Sequence, residues 1–115
     1  MNQDELRKEL LKEFIELGES LKAELWNAQN KQFLEFIARD IAGLSFKIHS
    51  TTDPAKRARY QRSIDVLTNH VAVMAFSRLN VMQKEASDTM FRILEKAAVF
   101  LVKAVLGQFG IILPN

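Results

Sequence analysis

The feature that most constrains the fold is the stretch from Pro54 to Leu106, which contains no glycine and no proline after its first residue. Apolar residues recur along it in steps of three and four, which is the spacing of one helix face and not of a strand. The stretch therefore predicts a long helical arm, arm B, over residues 54–106. The apolar face of arm B consists of Ile64, Leu67, Val71, Ala75, Leu79, Met82, Ala86, Met90, Ile93, Ala97, Leu101 and Val105.

Residues 1–49 predict a second helical arm, arm A, which covers that face. Asn2 is followed three residues later by Glu5, the pattern of a capping box, so we expect the helix to begin near Asn2. Its seam is rich in leucine at first and rich in Phe and Ile later, which predicts deeper burial of the later part. The seam residues are Leu6, Leu10, Phe14, Leu17, Leu21 and Leu25, then Phe33, Ile37, Ile41, Leu44 and Ile48, flanked by Leu34, Phe36 and Phe46.

The clearest turn signal lies between the two arms, at residues 50–53. Asp53 is a favoured N-cap residue, and Pro54 is favoured at the first helical position. A connection this short joins antiparallel neighbours, so the chain is predicted to form an antiparallel helical hairpin.

The length of the arms leaves two architectures open. As straight helices the arms would be about 70 and 80 Å long, whereas a compact domain of this size has a radius of gyration of about 13 Å. Either the arms break near residues 27–30 and 80–87 and form a four-helix bundle, or they stay long and the hairpin associates with copies of itself. Ser87 and Asp88 are the best sign of a break, but neither region contains glycine or proline. We favour the long arms in an oligomer; in both cases residues 1–115 form one all-α domain.

Composition excludes several classes of chemistry. The chain has no cysteine, so it has no disulfide, no thiolate zinc site and no cysteine nucleophile. Its first residues lack the basic start and apolar run of a signal peptide, so we expect a cytoplasmic protein. The net charge of +2 conceals an excess of acidic residues in 1–49 and of basic residues in 50–115. Such an asymmetry favours packing of the two arms and self-association.

No pattern of catalytic residues is present. The sequence lacks a Gly-x-Ser-x-Gly elbow and a glycine-rich phosphate loop. The two histidines, His49 and His70, are not part of a Glu-x-x-His pair of the kind that di-iron bundles use. We therefore predict a protein that is not an enzyme, with no metal site and no cofactor.

A cluster of cations at the start of arm B is the first candidate site. Lys56, Arg57, Arg59 and Arg62 occupy the first turns of a helix, where the helix dipole disfavours positive charge. The simplest interpretation is a solvated face near a loop. The alternatives are a site for a nucleic-acid backbone or for an acidic protein partner.

The end of the chain is the second candidate site. Residues 93–106 are apolar on nearly all sides, which is typical of a helix in a core, in an interface or in lipid. Gly107 is expected to cap this helix, and the apolar tail 107–115 is expected to dock. Residues 97–113 provide a membrane-insertion alternative, although Lys103 interrupts them and a span needs about 20 apolar residues. The predicted oligomer interface comprises Ile93, Ala97, Phe100, Leu101, Val105 and Phe109.

These features favour a non-enzymatic helical interaction or assembly protein that forms homo-oligomers through its apolar C-terminal helix. The small size and long helices also suit a structural or accessory protein of a virus or mobile element. The alternatives are a nucleic-acid-binding accessory protein that uses residues 56–62 and a membrane-associated protein that inserts residues 97–113.

Overall fold

The computed structural model describes residues 2–20, 28–77 and 87–113, and these form four helices. Helix α1 spans Gln3–Ser20, α2 spans Ala28–Ser50, α3 spans Pro54–Ser77 and α4 spans Ser87–Gln108. Each helix packs against the next along the chain, and α1 also packs against α4. The four helices therefore close into a bundle in which α4 lies between α3 and α1.

The dimensions of the molecule decide between the two predicted architectures. Its extents are 47 × 27 × 20 Å and its radius of gyration is 14.3 Å. Continuous arms of about 70 and 80 Å would not fit within these extents, so the expectation of long arms is wrong and the four-helix alternative applies. Of the predicted break at 27–30, residue 27 lies outside the described residues and residues 28–30 form the start of α2. Of the predicted break at 80–87, residues 80–86 lie outside the described residues and Ser87 begins α4.

Two helix starts have the side-chain caps that the sequence predicts. The backbone N–H of Glu5 donates to Asn2 Oδ1 over 2.8 Å, and Asn2 Nδ2 donates to Glu5 Oε1 over 3.0 Å. At the start of α3, the backbone N–H of Ala55 donates to Asp53 Oδ1 over 3.0 Å. Both caps satisfy N–H groups that have no partner within the helix. Because α2 ends at Ser50, residues 51–53 form the whole connection to α3.

Helix α4 ends one residue past Gly107, so the prediction that Gly107 caps this helix is wrong. The capping residue is Gly110, whose φ of 75° lies in the left-handed region that glycine adopts without strain. The Ile111 N–H donates to the Leu106 carbonyl over 2.9 Å, and the Gly110 N–H donates to the Gly107 carbonyl over 3.0 Å. This pair of bonds is a Schellman motif, and it turns Ile111 back into the core, where it is 2% exposed.

The core runs along the inner faces of all four helices. Small side chains contribute to it as well as large ones, since Ala38, Ala42 and Ser45 of α2 are fully buried. The Ser45 hydroxyl donates to the Ile41 carbonyl over 2.6 Å, so this buried group is satisfied. The large buried side chains are Phe14, Leu6, Leu10, Leu34, Ile41, Ile48, Ile64, Leu94, Leu106, Val71 and Val102.

An ion-pair network ties the start of α1 to α2. Arg7 contacts Asp4 Oδ1 over 2.9 Å and Glu35 Oε1 over 2.8 Å, and Lys8 lies 3.3 Å from Asp4. Hydrogen bonds from Arg7 and then Lys8 lower the pKa of the Asp4 carboxyl below its ordinary value of 3.8. Because Asp4 is exposed, solvent screens these pairs and their effect on stability is small.

Candidate functional site

The outer side of α4 carries an apolar strip that the bundle leaves uncovered. Ile93 is 51% exposed and Phe100 is 75% exposed, although both are large apolar side chains. Between and after them lie small residues, and the whole set recurs in steps of four and three, the spacing of a coiled-coil seam. We name this set the α4 strip; it consists of Ile93, Ala97, Phe100, Ala104 and Gly107.

Phe100 stands on the ridge between two grooves. On the α3 side it lines a groove of about 570 Å³ together with Asn69, Val99 and Lys103. On the α1 side it lines a groove of about 420 Å³ together with Ala97, Ala104 and two glutamates. A partner that covers the α4 strip would therefore also contact side chains of α1 and α3.

The two sides of the α4 strip differ in charge. On the α1 side, Glu13 and Glu16 line the groove, and α1 as a whole has three basic and six acidic residues. On the α3 side, Lys96 and Lys103 are exposed, and α3 has four basic residues and one acidic residue. The net charges of α1 and α3 are thus −3 and +3. The strip therefore runs between an acidic helix and a basic helix.

Acidic as well as basic groups line the groove on the α3 side. Asp65 and Glu95 line the groove there with Lys96 and Lys103. Glu95 is half-buried, and Asp65 accepts a hydrogen bond from Gln61 Nε2 over 2.9 Å. The four charges of this groove balance, whereas the groove on the α1 side has two glutamates and no cation. The groove on the α1 side is therefore the more acidic of the two.

The predicted oligomer interface is divided between surface and core. Ile93 and Phe100 lie on the surface, and Ala97 is half-buried beside them. Val105 is 3% exposed and belongs to the core of the bundle. Leu101 and Phe109 are partly buried and pack against the same core. Leu101, Val105 and Phe109 therefore contribute to the core of the bundle and not to its exposed surface. The exposed Ala104 and Gly107, absent from the predicted set, extend the surface in their place.

The basic run at the start of α3 is exposed except at Arg57, which is half-buried. Among the residues that the structure describes, none of Lys56, Arg57, Arg59 and Arg62 forms an ion pair. Arg59 and Arg62 lie on the outward side of α3, opposite the buried Ile64 and Ala75. They are therefore available to an anionic partner.

Gln61 lies within the basic run in sequence, but on the buried side of α3, where it is only 3% exposed. Its Nε2 donates to Asp65, but its Oε1 has no hydrogen-bond partner among the described residues. Gln61 packs within the bundle and does not line either groove beside the α4 strip.

Helix α2 also exposes large apolar residues, but their setting differs. Phe33 and Phe36 are 47% and 56% exposed, although the sequence predicts deeper burial here. The Arg39 guanidinium covers the Phe36 ring at 4.6 Å from the ring centre, a cation–π contact. Phe36 therefore has a partner within its own helix, whereas no such cover is present over Phe100 in the described part of the chain.

Neither a metal site nor a membrane-spanning helix is found in residues 2–20, 28–77 and 87–113. No group of three His, Asp or Glu side chains is placed to hold a metal ion there. His49 and His70 are both exposed and lie on different helices. None of the four helices is both long enough and apolar enough to cross a membrane.

Residues 97–113, the segment of the membrane-insertion alternative, contribute to the core. Val102, Val105, Leu106 and Ile111 are all buried within the bundle. Insertion of the segment into lipid would remove these side chains from the core, so it would require the bundle to open.

Comparison of the chain with protein-family models, with curated proteins and with solved structures gave no match.

Proposed function

We propose that this protein is a non-enzymatic helical interaction module that self-associates through the α4 strip. The observation that carries the proposal is the exposure of Phe100 on a helix whose opposite face is fully buried. A helix with apolar residues on its outer as well as its inner side is suited to a second packing partner. The predicted role in a larger assembly, including that of a virus or mobile element, is part of the same proposal.

The composition of the strip supports close helix packing. Ala97, Ala104 and Gly107 have little or no side chain, so a neighbouring helix can approach the backbone of α4 between the large residues. Steps of four and three keep all five strip residues facing one partner over the length of the helix. Phe100 at the centre has the size and apolar surface of a typical interface anchor.

The test compares two exposed phenylalanines. Light scattering after size exclusion gives the solution mass of the parent, of Phe100→Asp and of Phe36→Asp. We expect the parent to be an oligomer, Phe100→Asp to be a monomer that keeps the helical circular-dichroism spectrum of the parent, and Phe36→Asp to keep the parent's mass. The melting temperature of the monomer should fall, because dissociation removes the stabilisation that association provides. The matched substitution on α2 controls for the general effect of a new surface charge.

A monomeric parent across the accessible concentration range would overturn the proposal. Val105→Asp is not a suitable test, because Val105 is buried and a carboxylate there would unfold the bundle. Retention of the parent's mass by both Phe100→Asp and Ile93→Asp would likewise show that the α4 strip is not the interface.

A second candidate function, nucleic-acid binding, is favoured by the exposed cations at the start of α3. Binding through Lys56, Arg59 and Arg62 would release counterions, so its affinity would fall steeply as salt rises. A gel-shift assay at low salt with the parent and with Arg59→Glu/Arg62→Glu tests this candidate. Absence of a shift with the parent, or an equal shift with the variant, would exclude this site.

A further inference from the structure

We infer that two copies of the chain pack their α4 strips in parallel, so that acidic α1 of each copy lies against the basic side of the other. The inference rests on the proposed self-association. It adds the relative direction of the two α4 helices and the charged residues that each copy contributes to the interface. The partner is a second copy of this chain, chosen because one molecule carries both complementary surfaces.

The position of α4 limits the arrangements of a two-fold dimer. Helix α4 lies between α1 on one side and α3 on the other. If the two-fold axis runs along α4, the two α4 helices are parallel and α1 of one copy faces α3 of the other. If the axis runs across α4, the helices are antiparallel, and each of α1 and α3 faces its own equivalent. Both arrangements cover the α4 strip, and only the charges beside it distinguish them.

The charges favour the parallel arrangement. It places a helix of net charge −3 against one of net charge +3, whereas the antiparallel arrangement pairs helices of like charge. Charges of the same sign facing each other across an interface disfavour the complex, and opposite charges set its register. Electrostatics therefore selects the parallel dimer among those that bury Phe100.

Particular side chains lie at the right level along α4. Glu13 and Glu16 line the same groove as Phe100 on the α1 side. On the α3 side, Lys96 and Lys103 line the groove with Phe100 and balance the charges of Asp65 and Glu95. A two-fold axis along α4 keeps the level of each residue. Lys103 of one copy then meets Glu13 and Glu16 of the second copy, beside the two Phe100 rings. The second copy therefore completes a charged border on each side of an apolar centre.

Cysteine cross-linking reads out the direction of the helices, and the absence of native cysteine makes single variants sufficient. Ala97→Cys and Ala104→Cys are prepared as separate proteins. Each is oxidised alone, and an equal mixture of the two is oxidised in a third reaction. The two positions are about 10 Å apart along the helix, which exceeds the distance that a disulfide can bridge. A cross-link therefore shows which positions of the two copies lie at the same level. In the parallel dimer, each variant cross-links with itself. In an antiparallel dimer centred near Phe100, only the mixture cross-links. Lys31→Cys, on the exposed surface of α2, controls for random collision.

Charge exchange provides a second measurement. We expect Lys96→Glu/Lys103→Glu to weaken dimerisation about tenfold, because exposed ion pairs become repulsive contacts. Adding Glu13→Lys/Glu16→Lys to the same chain should restore the affinity of the parent. In the antiparallel arrangement the lysines face lysines, so reversing all of them to glutamate would leave the affinity unchanged.

The outcomes separate this inference from the proposed function. A parent that is monomeric by light scattering overturns both. A dimer that Phe100→Asp dissociates, but in which only the mixture of cysteine variants cross-links, supports the α4 strip and overturns the parallel arrangement. Self-cross-linking of both variants together with rescue by charge exchange supports the inference.

Discussion

Helices α1 and α4 are neighbours in the bundle, yet they use their apolar residues differently. Helix α1 buries Leu6, Leu10 and Phe14 completely, and its outer side is charged. Helix α4 buries Leu94 and Leu106 completely and still exposes Ile93 and Phe100. The bundle therefore leaves no large apolar side chain of α1 exposed among the described residues, whereas it leaves large apolar side chains of α4 exposed. The comparison shows that an apolar helix face by itself does not indicate a site, because the core also needs such faces. The candidate site is identified by the large apolar side chains that the core does not cover.

The largest effect should come from truncating the inner faces of both helices. Leu10→Ala in α1 and Leu94→Ala in α4 remove fully buried side chains, so each should lower the free energy of unfolding by about 2–5 kcal/mol. Ile93→Ala, adjacent to Leu94 but half-exposed, should change it by only about 0.5 kcal/mol. Urea unfolding in the Phe100→Asp background, where we expect a monomer, measures all three. Equal losses for Ile93→Ala and Leu94→Ala would show that the assigned faces of α4 are wrong.

A second prediction contrasts two glycines near the end of α4. Gly110→Ala places a side chain in the left-handed region and should cost about 1–2 kcal/mol. Gly107→Ala lies within the helix, where a Cβ would meet no atom within 4 Å, so it should stabilise the monomer by up to about 1 kcal/mol. Thermal unfolding of the two variants in the Phe100→Asp background, where we expect a monomer, gives the sign of each change, and opposite signs are the expected result. A loss of stability in Gly107→Ala would place the end of α4 before residue 107.

A smaller effect is expected at the start of α1. Asn2→Ala removes the oxygen that accepts the Glu5 N–H, and it should lower the free energy of unfolding by about 1 kcal/mol. Lys12→Ala, on the exposed side of α1, serves as the matched control and should be nearly neutral. Urea unfolding measures both. Equal results for the two variants would show that the cap does not contribute.

The smallest effect concerns pH and Asp4. Its pKa in the folded state is below the ordinary 3.8, so its contribution to stability is present above that value and is lost as pH falls through the lowered folded pKa. Asp4→Asn should therefore melt slightly lower than the parent at pH 6. The two melting temperatures should converge in acid. A difference that stays constant from pH 6 down to pH 2 would contradict the assignment to the Asp4 carboxylate.

The sequence predicts the starts of α1 and α3 and the inner face of α1 correctly, because these depend on local patterns. The Asn2 and Asp53 caps depend only on neighbouring residues. The leucine seam of α1 is flanked by charged residues, so only one face of this helix can be buried. The fold class also follows from such patterns. The separation into four helices did not, because it depends on packing between segments that are distant in the chain.

The face of α4 could not be predicted from periodicity alone. Of the predicted seam residues Ile93, Ala97, Leu101 and Val105, Val105 is buried. The positions one residue further along, Leu94, Ala98, Val102 and Leu106, are all buried. A shift of one residue rotates the predicted face by about 100° around the helix axis. Helix α4 has apolar residues on both of these faces, so periodicity does not show which of them is buried. In α2 the same ambiguity placed Phe33 in the core, where the structure has Leu34 and the small Ala38. Phe100 was included in the predicted interface, but its exposure between two grooves required the structure.

The short connection at residues 51–53 also bears on the order of events during folding. Helices α2 and α3 are adjacent in the chain, so their contacts close a small loop and we expect them to form early. Helices α1 and α4 lie at opposite ends of the chain, and their contact closes the largest loop. The groove that contains Phe100, Glu13 and Glu16 should therefore be assembled last. A nascent or truncated chain would lack this groove, so the proposed association would follow complete folding of each copy.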